Sequence, residues 1–562
     1  MAYTRNRKLQ IKSKVLSSME KVFQDQEPKA LAQPLSFLQG EIASFQIAVN
    51  PEIVFGHRAS MALVPTVVCD LPATIRMTAM VPVGLTTNTT ADGRFLRTEP
   101  GLFPDPLMTA DDWGEFNVLM GAWTGFLVEV DTKGAKAGKY NVTVNFDVGQ
   151  FNKTTYETFT VTQEIEIIGA ELPKQTTIYT SWFHNDALTD YYRVDVFSEE
   201  HWKLAKAQME AAVRYGQNMI LVPMFTPPLD TNVGSERKTV QTVDVTVTNG
   251  KYSFGFDNFD RYIRTAREAG MEYFEMSHLF TQWGGTSCPK IMATVDGEYK
   301  RIFGWDVEST SEEYQAFLRA FLPTLLDHMK ELDMEGKAYF HLTDEPHGDH
   351  LERYLRLKNI VKPLIGNYKI LDALSDYDFF YSGACEVPAV GTSHLKPFLE
   401  GKRPEDFWAY YCTSQCYEYL SNRHLAMPGY RTRILGFQLY KENINGFLQW
   451  GLNFYYSRHS QHMIDPYMVT DGEYAWPAGD PFVLYPGYDG TPRIALRLIT
   501  FNEGLQDQRA LQLLEKLTSR EHVLDILKEE AGYEITFNDY PVGEEFILNV
   551  RNRVNKEIAD LT

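Results

Sequence analysis

Positive charge is in short supply in this chain: 54 Lys and Arg stand against 74 Asp and Glu, a formal net charge of −20. No basic cluster exceeds a few positions. Such a surface repels phosphate backbones and anionic headgroups, so neither a nucleic acid nor a charged membrane surface is the expected partner. Long apolar runs are missing too, and no stretch approaches the ~18 consecutive apolar residues that a membrane-spanning helix requires. Cysteine is scarce: the five residues (Cys69, Cys288, Cys385, Cys412, Cys416) are odd in number and scattered. That pattern fits free thiols in a reducing compartment rather than a disulfide framework. Cys412-x-x-x-Cys416 lacks zinc-ribbon spacing and a second pair, and no metal or other cofactor is expected. The opening segment Met1-Ala-Tyr-Thr-Arg-Asn-Arg-Lys-Leu9 has no apolar core of a secretory signal. A cytoplasmic location is therefore expected, with secretion of a longer precursor left open. Nucleophile-elbow, phosphate-loop and dinucleotide fingerprints are absent from any strand-turn-helix context.

Aromatic residues, by contrast, are plentiful at 13%, with 31 Tyr and 9 Trp. Ring faces that stack on sugar C–H groups use this composition, and so do large aromatic cores. At 562 residues two or three domains are expected. Residues 1–170 read as an N-terminal β-sandwich accessory domain. Phe45–Val49, Thr124–Val130 and Tyr140–Phe146 alternate apolar and polar side chains, and turn segments such as Lys133–Lys139 separate them. Ile168–Gln175 reads as a linker.

From Thr177 onward the pattern becomes strand, loop, helix, repeated. Strands are predicted at Thr177–Trp182, Asn218–Pro223, Tyr273–His278, Ala338–Thr343, Ile370–Leu374, Ala384–Val387, Phe407–Tyr411 and Gly446–Leu452. Helical spacing falls at His201–Arg214, Phe259–Ala269, Glu312–Leu332, His350–Val361 and Leu435–Asn443. This alternation predicts a (β/α)8 barrel catalytic domain over 175–530, giving a multidomain β plus α/β chain. Thr491–Glu530 would close the barrel, and 531–562 would form a C-terminal helical extension packed on it.

The densest chemistry lies in His341-Leu-Thr-Asp344-Glu345-Pro346-His347-Gly348. Two adjacent carboxyls disfavour each other's ionisation, so one can stay protonated near neutral pH, as glycosidic cleavage demands. The pair sits at the end of the fourth predicted strand, on the face where barrel active sites are built. Strict alternation puts Tyr339, His341, Thr343 and Glu345 on one side and Asp344 on the other, unless Pro346 imposes a turn. A helix cap or structural ion pair is the plain alternative for either acid. Other strand ends offer Trp182, Asn218, His278 with Trp283, Trp408 with Tyr410 and Tyr411, and Trp450 with Asn453. The predicted substrate-binding set is Trp182, Asn218, His278, His341, Tyr411, Trp450 and Asn453. Tyr411 and Trp450, at the seventh and eighth predicted strand ends, are expected to close the pocket.

Several segments together resemble glycoside hydrolase family 123. They are Thr343-Asp344-Glu345-Pro346, Gly446-Phe-Leu-Gln-Trp450-Gly-Leu-Asn453, Gly479–Gly487, Glu503-Gly-Leu-Gln-Asp507 and Leu102–Leu107. The resemblance implies a retaining exo-β-N-acetylgalactosaminidase acting on glycans or glycosphingolipids. In that family the sugar's own 2-acetamido oxygen attacks C1 and forms an oxazoline. It further implies Glu345 as general acid/base and Asp344 as the group that orients and polarises the acetamido N–H. Two alternatives stay open: a barrel glycosidase with an enzyme nucleophile at Glu386 or Glu418, and a non-catalytic glycan-binding protein.

Overall fold

Short apolar runs alternating with amphipathic helices close on themselves as a parallel barrel. In a computed structural model describing residues 10–52, 60–110, 114–149 and 155–562, its strands are β1 (Ile178–Ser181), β2 (Met219–Val222), β3 (Tyr273–Met276), β4 (Ala338–Phe340), β5 (Lys369–Ala373), β6 (Val387–Gly391), β7 (Trp408–Tyr410) and β8 (Gly446–Gln449). They pair in sequence order, and β8 returns to β1. Both faces of each strand are covered, so the runs are mostly apolar, with Glu275, Asp372 and Gln449 among the buried polar exceptions. Met219, Leu221, Tyr339, Leu371, Val387, Ala389, Trp408 and Leu448 fill the interior. Gly446 is required there, because a Cβ would stand 2.0 Å from the Trp408 ring.

Seven strands fall within the predicted segments or one residue outside them. The sixth is displaced: it runs Val387–Gly391 rather than Ala384–Val387. Pro388 hides it, since a proline normally argues against a ladder position.

The surrounding helices start and stop on local signals. Ser198 and Ser311 accept hydrogen bonds from His201 N and Tyr314 N at the starts of Glu199–Arg214 and Glu312–Glu331. Gly270, at φ +109°, ends Asp257–Ala269. Sequence periodicity gave no hint of one addition. The excursions after β2 and β3 build a sheet from Lys251–Gly255, Asp244–Thr248, Ile291–Val295 and Glu298–Phe303. Phe254 and Phe303 anchor it on Phe317 of Glu312–Glu331, which braces two long loops above the barrel.

The chain divides into two compact units, and the division is not at 170 and 530. The barrel unit spans Thr176–Cys416 and Glu442–Pro492; Tyr417–Lys441 and Arg493–Thr562 group with the N-terminal strands up to Gln175. That second unit is β-rich. One sheet orders Ile11–Ser17, Ile42–Pro51, Thr124–Asp131, Ala73–Val83, Gly101–Met108 and the distant Arg493–Ala495. The other orders Leu35–Gln39, Thr155–Glu171, Gly138–Gly149, Ser60–Val68 and Phe116–Leu119. The final helix, Glu545–Leu561, packs here and not on the barrel as expected. Its Phe546, Ile547, Val550, Val554 and Ile558 share one apolar cluster with Phe37, Ile165 and Ile167. An apolar sheet face must be covered, and this helix covers it.

Buried ion pairs bind the distant segments of this unit. Arg497 donates to both Asp105 oxygens at 2.8 and 2.9 Å. Arg433 donates to Asp507 at 2.8 and 3.0 Å and to Glu503 at 3.1 Å. Removing one partner of such a pair leaves a buried uncompensated charge, which costs about 3–5 kcal/mol. Asp105→Ala is therefore expected to destabilise the β-rich unit by that amount, measured as a lowered midpoint in urea unfolding; a loss below 1 kcal/mol would contradict this account.

Candidate active site

Beyond Phe340 the chain leaves the β4 ladder and climbs to the open C-terminal end of the barrel. Thr343 Oγ1 donates to Thr281 O at 2.7 Å, which anchors the climb on the loop after β3. Glu345 has φ +44°, a left-handed conformation uncommon outside glycine. This turn answers the alternation problem: Asp344 and Glu345 both border one cavity of about 150 Å³. Trp283 N donates to Asp344 O at 2.9 Å and clamps the turn from the side. Neither carboxylate caps the helix that follows; its first turn is framed by His347 and His350.

Both carboxyls are accessible only from the cavity, and their acidities follow. Burial pushes Asp344 well above the usual carboxylate range, and the neighbouring Glu345 adds to the shift. Burial also raises Glu345, but the Tyr410 hydroxyl, donating to Glu345 Oε1 at 3.0 Å, favours its ionised form. The Tyr410 hydroxyl thus sets Glu345 apart from Asp344. A further carboxylate, Asp480, accepts from Trp450 Nε1 at 3.0 Å, Thr413 Oγ1 at 2.6 Å and Gln449 Nε2 at 3.0 Å. It fixes the Trp450 ring as a cavity wall, and its charge adds to the upward pressure on Glu345.

A polar network lies beneath the pair. His341 places Nε2 2.8 Å from Glu275 and Nδ1 3.2 Å from Asp372. Burial alone would depress this imidazole, but the hydrogen bonds to Asp372 and Glu275 hold it up at about 9. Trp182 Nε1 donates to Glu275 at 3.0 Å and the Tyr354 hydroxyl to Asp372 at 2.6 Å. His278 stacks on His341 with ring centroids 4.4 Å apart, and burial drives it to its neutral form. His278, His341 and Asp372 offer atoms within 4.8 Å of one another, the nearest approach to a metal-ligand set among the described residues. Both His341 nitrogens already face carboxylates, so the group works as a hydrogen-bonded floor.

The predicted binding residues do not all meet at the cavity. Trp182 and Trp450 line the cavity with Asp344 and Glu345. His278 and His341 lie under it, fully enclosed. Asn218 is at the wrong end of its strand: it precedes β2, accepts from Tyr179 N at 2.8 Å and donates to Thr177 O at 3.1 Å. Asn453 is a loop staple that accepts from His184 N at 2.8 Å. Tyr411 turns outward against Phe447, and its neighbour Tyr410 points inward. Period-two alternation from the interior Trp408 would have selected Tyr410. Asp230, Gln282, Trp283, Thr413 and Trp476 also line the cavity; all come from loops, where no periodicity guides a reading. Glu386 sits just before β6, at the opposite end of the barrel, 2.9 Å from Lys362. Glu418 belongs to the β-rich unit.

Residues 182–514 match the model of the glycoside hydrolase 123 catalytic domain. Among solved structures, a family 123 glycoside hydrolase from Clostridium perfringens, described through its hydrolysis of glycolipid glycans, matches at 16% identity with a TM-score of 0.72. The match covers 98% of this chain and 97% of that one. A β-glucuronidase from Bacteroides uniformis matches at 12% identity, with a TM-score of 0.31 over 81% of this chain and 48% of its own. No curated protein matches the sequence.

The raised acidity of Asp344 has a consequence for stability. A carboxyl whose pKa is raised on folding binds protons more tightly folded than unfolded, so its contribution is favourable below the unfolded pKa and is lost as pH rises. Asp344→Asn removes that penalty. The variant is expected to melt at a higher temperature than the parent at pH 7–8, with the difference shrinking toward pH 4. A Tm difference that does not change with pH would contradict this electrostatic account.

Proposed function

The chain belongs to glycoside hydrolase family 123, and on that footing we propose that it is a retaining exo-β-N-acetylgalactosaminidase. It releases terminal β-linked N-acetylgalactosamine from glycans or glycosphingolipids by substrate-assisted catalysis. The observation that carries this reading is the turn at Glu345, which opens two consecutive carboxyls into one aromatic-walled cavity. The scaffold is read as a (β/α)8 barrel together with a β-sandwich accessory unit.

In the first step the acetamido carbonyl oxygen attacks C1. The C1–O bond to the aglycone breaks, its electron pair stays on the departing oxygen, and that oxygen takes the proton of Glu345. The attacking group is part of the substrate and has a high effective concentration, so no enzyme nucleophile is needed. Asp344 accepts the acetamido N–H, which orients the group and makes its oxygen a better nucleophile. That hydrogen bond also favours the ionised form of Asp344, so binding favours a proton on Glu345, where the leaving group requires it. In the second step water attacks C1, the bond to the acetamido oxygen breaks, and the Glu345 carboxylate takes the water's proton. Two inversions give overall retention. Trp450, held by Asp480, packs beside the acetamido methyl.

Glu345→Gln is expected to abolish turnover of substrates with basic leaving groups and to spare activated aryl glycosides more. General acid help supplies roughly 100- to 10,000-fold, mostly where the leaving oxygen is basic. Equal loss on both substrate types would remove Glu345 from this role. A second experiment tests the internal nucleophile: a thiazoline mimic of the oxazoline should inhibit competitively, and the matching 2-hydroxy galactoside should scarcely react. Efficient cleavage of the 2-hydroxy sugar would overturn the mechanism, and failure to turn over any glycoside would favour a glycan-binding role.

A further inference from the structure

One carboxylate in the cavity wall has no part in that mechanism. Asp230 lies on the loop after β2 and borders the same cavity as Asp344 and Glu345. Its surroundings come from three loops. Its backbone N donates to Gln282 Oε1 at 2.6 Å, and Gln282 Nε2 donates to Thr231 O at 3.0 Å. From the loop after β8, His459 N donates to Asp230 Oδ2 at 2.7 Å, and Ser460 Oγ donates to Asp230 O at 2.8 Å. The other carboxylate oxygen, Oδ1, is 3.8 Å from His459 Nδ1, beyond hydrogen-bond range. The side chain is 18% exposed, and Oδ1 is left to face the cavity that Asp230 borders.

The backbone here is held in unusual conformations. Asp230, Trp283, His459 and Ser460 have φ of +40°, +58°, +59° and +53°, all in the left-handed region. Strain of this kind persists only where surrounding structure enforces it, and it gathers at functional sites. Gln282 grips the Asp230 turn while the next residue, Trp283, grips Asp344 through its backbone N–H. One dipeptide therefore ties together the two turns that carry the Asp230 and Asp344 carboxylates. Trp283 is 42% exposed and meets His459 edge-to-face at 5.8 Å, leaving a broad apolar ring at the cavity rim.

We propose that Asp230 reads the far edge of the bound sugar, accepting hydrogen bonds from its O4 and O6 hydroxyls, with the Trp283 ring as the adjoining wall. This assignment rests on the reading of the cavity as a site for a single terminal glycone. The Asp344–Glu345 turn holds the C1–C2 end, and the Gln282–Trp283 bridge delivers Asp230 to the opposite end. Two hydroxyl donors would satisfy a carboxylate that burial has already pushed above the ordinary range. An oxygen pair placed there senses the axial or equatorial setting of O4, which separates galacto from gluco sugars. Asp230 is thereby a specificity residue: its Oδ2 already accepts from His459 N, and its Oδ1 is the oxygen turned to the sugar hydroxyls.

The test is a cycle of enzyme and substrate changes. An aryl 2-acetamido-2-deoxy-β-galactoside and its 4-deoxy and 6-deoxy analogues are compared on the wild-type protein, Asp230→Asn and Asp230→Ala. Wild type is expected to lose roughly 10- to 100-fold in kcat/KM on the deoxy sugars, the worth of a hydrogen bond to a charged group. Asp230→Ala should lose a similar factor on the parent sugar while the parent-to-deoxy ratio falls to near one. A loosened loop would slow all three substrates alike and keep the ratio, which would overturn the proposal. Trapping of a glycosyl ester on Asp230 with a 2-fluoro sugar would also overturn it. If wild type cleaves only 2-hydroxy glycosides, substrate-assisted catalysis fails on its own, and the same cycle run with the deoxy forms of that glycoside still decides the role of Asp230.

Discussion

Two carboxyl groups on consecutive residues, both withdrawn from bulk water, cannot carry charge together without a large electrostatic cost. The site is organised around that constraint. The left-handed turn at Glu345 brings both groups to one cavity, and the surroundings then distinguish them. Asp344 is clamped through its carbonyl by Trp283 N. Glu345 has the Tyr410 hydroxyl on one oxygen. A hydrogen-bond donor entering the cavity favours the ionised form of whichever carboxyl it meets.

The polar floor serves the same end by a different route. A charged imidazole between Glu275 and Asp372, with Trp182 and Tyr354 completing their hydrogen bonds, is costly to disturb, since loss of one partner would leave another buried charge uncompensated. It gives the cavity a rigid base on which β3, β4 and β5 are tied. The walls are less regular: Trp450 is held by Asp480, and Trp283 stands on a strained loop. Rigid strands position the acids, and loops supply the residues that meet the substrate.

Not every acidic motif in this chain is chemistry. Glu503 and Asp507, inside the matched catalytic-domain model, pair with Arg433 in the β-rich unit, and Asp105 pairs with Arg497. Gly504 in the same motif has Arg433 O 2.7 Å from where a Cβ would be, so its smallness serves close packing. These residues join segments hundreds of positions apart, such as Asp105 and Arg497. They resemble functional residues in sequence because a buried ion pair and a catalytic carboxylate draw on the same residue types.

The sequence by itself determined the strand–helix alternation, and with it the barrel, because inward and outward apolar positions repeat at the periods of strand and helix. It also placed Asp344 and Glu345 just beyond the C-terminal end of the fourth strand, which the structure ends at Phe340. Tertiary structure decided the rest. Tyr410 replaced Tyr411 because a three-residue strand, Trp408–Tyr410, turns adjacent side chains to opposite faces. Asn218 left the predicted site because it precedes its strand, as the predicted span Asn218–Pro223 already implied, whereas barrel sites form at the strands' other ends. The final helix went to the β-rich unit because an amphipathic stripe does not name the surface it will cover. Asp230, Gln282 and Trp283 came to the cavity by loop closure. No local periodicity encodes that closure: which distant donors meet a loop carboxylate depends on long-range hydrogen bonds that exist only once the barrel has formed.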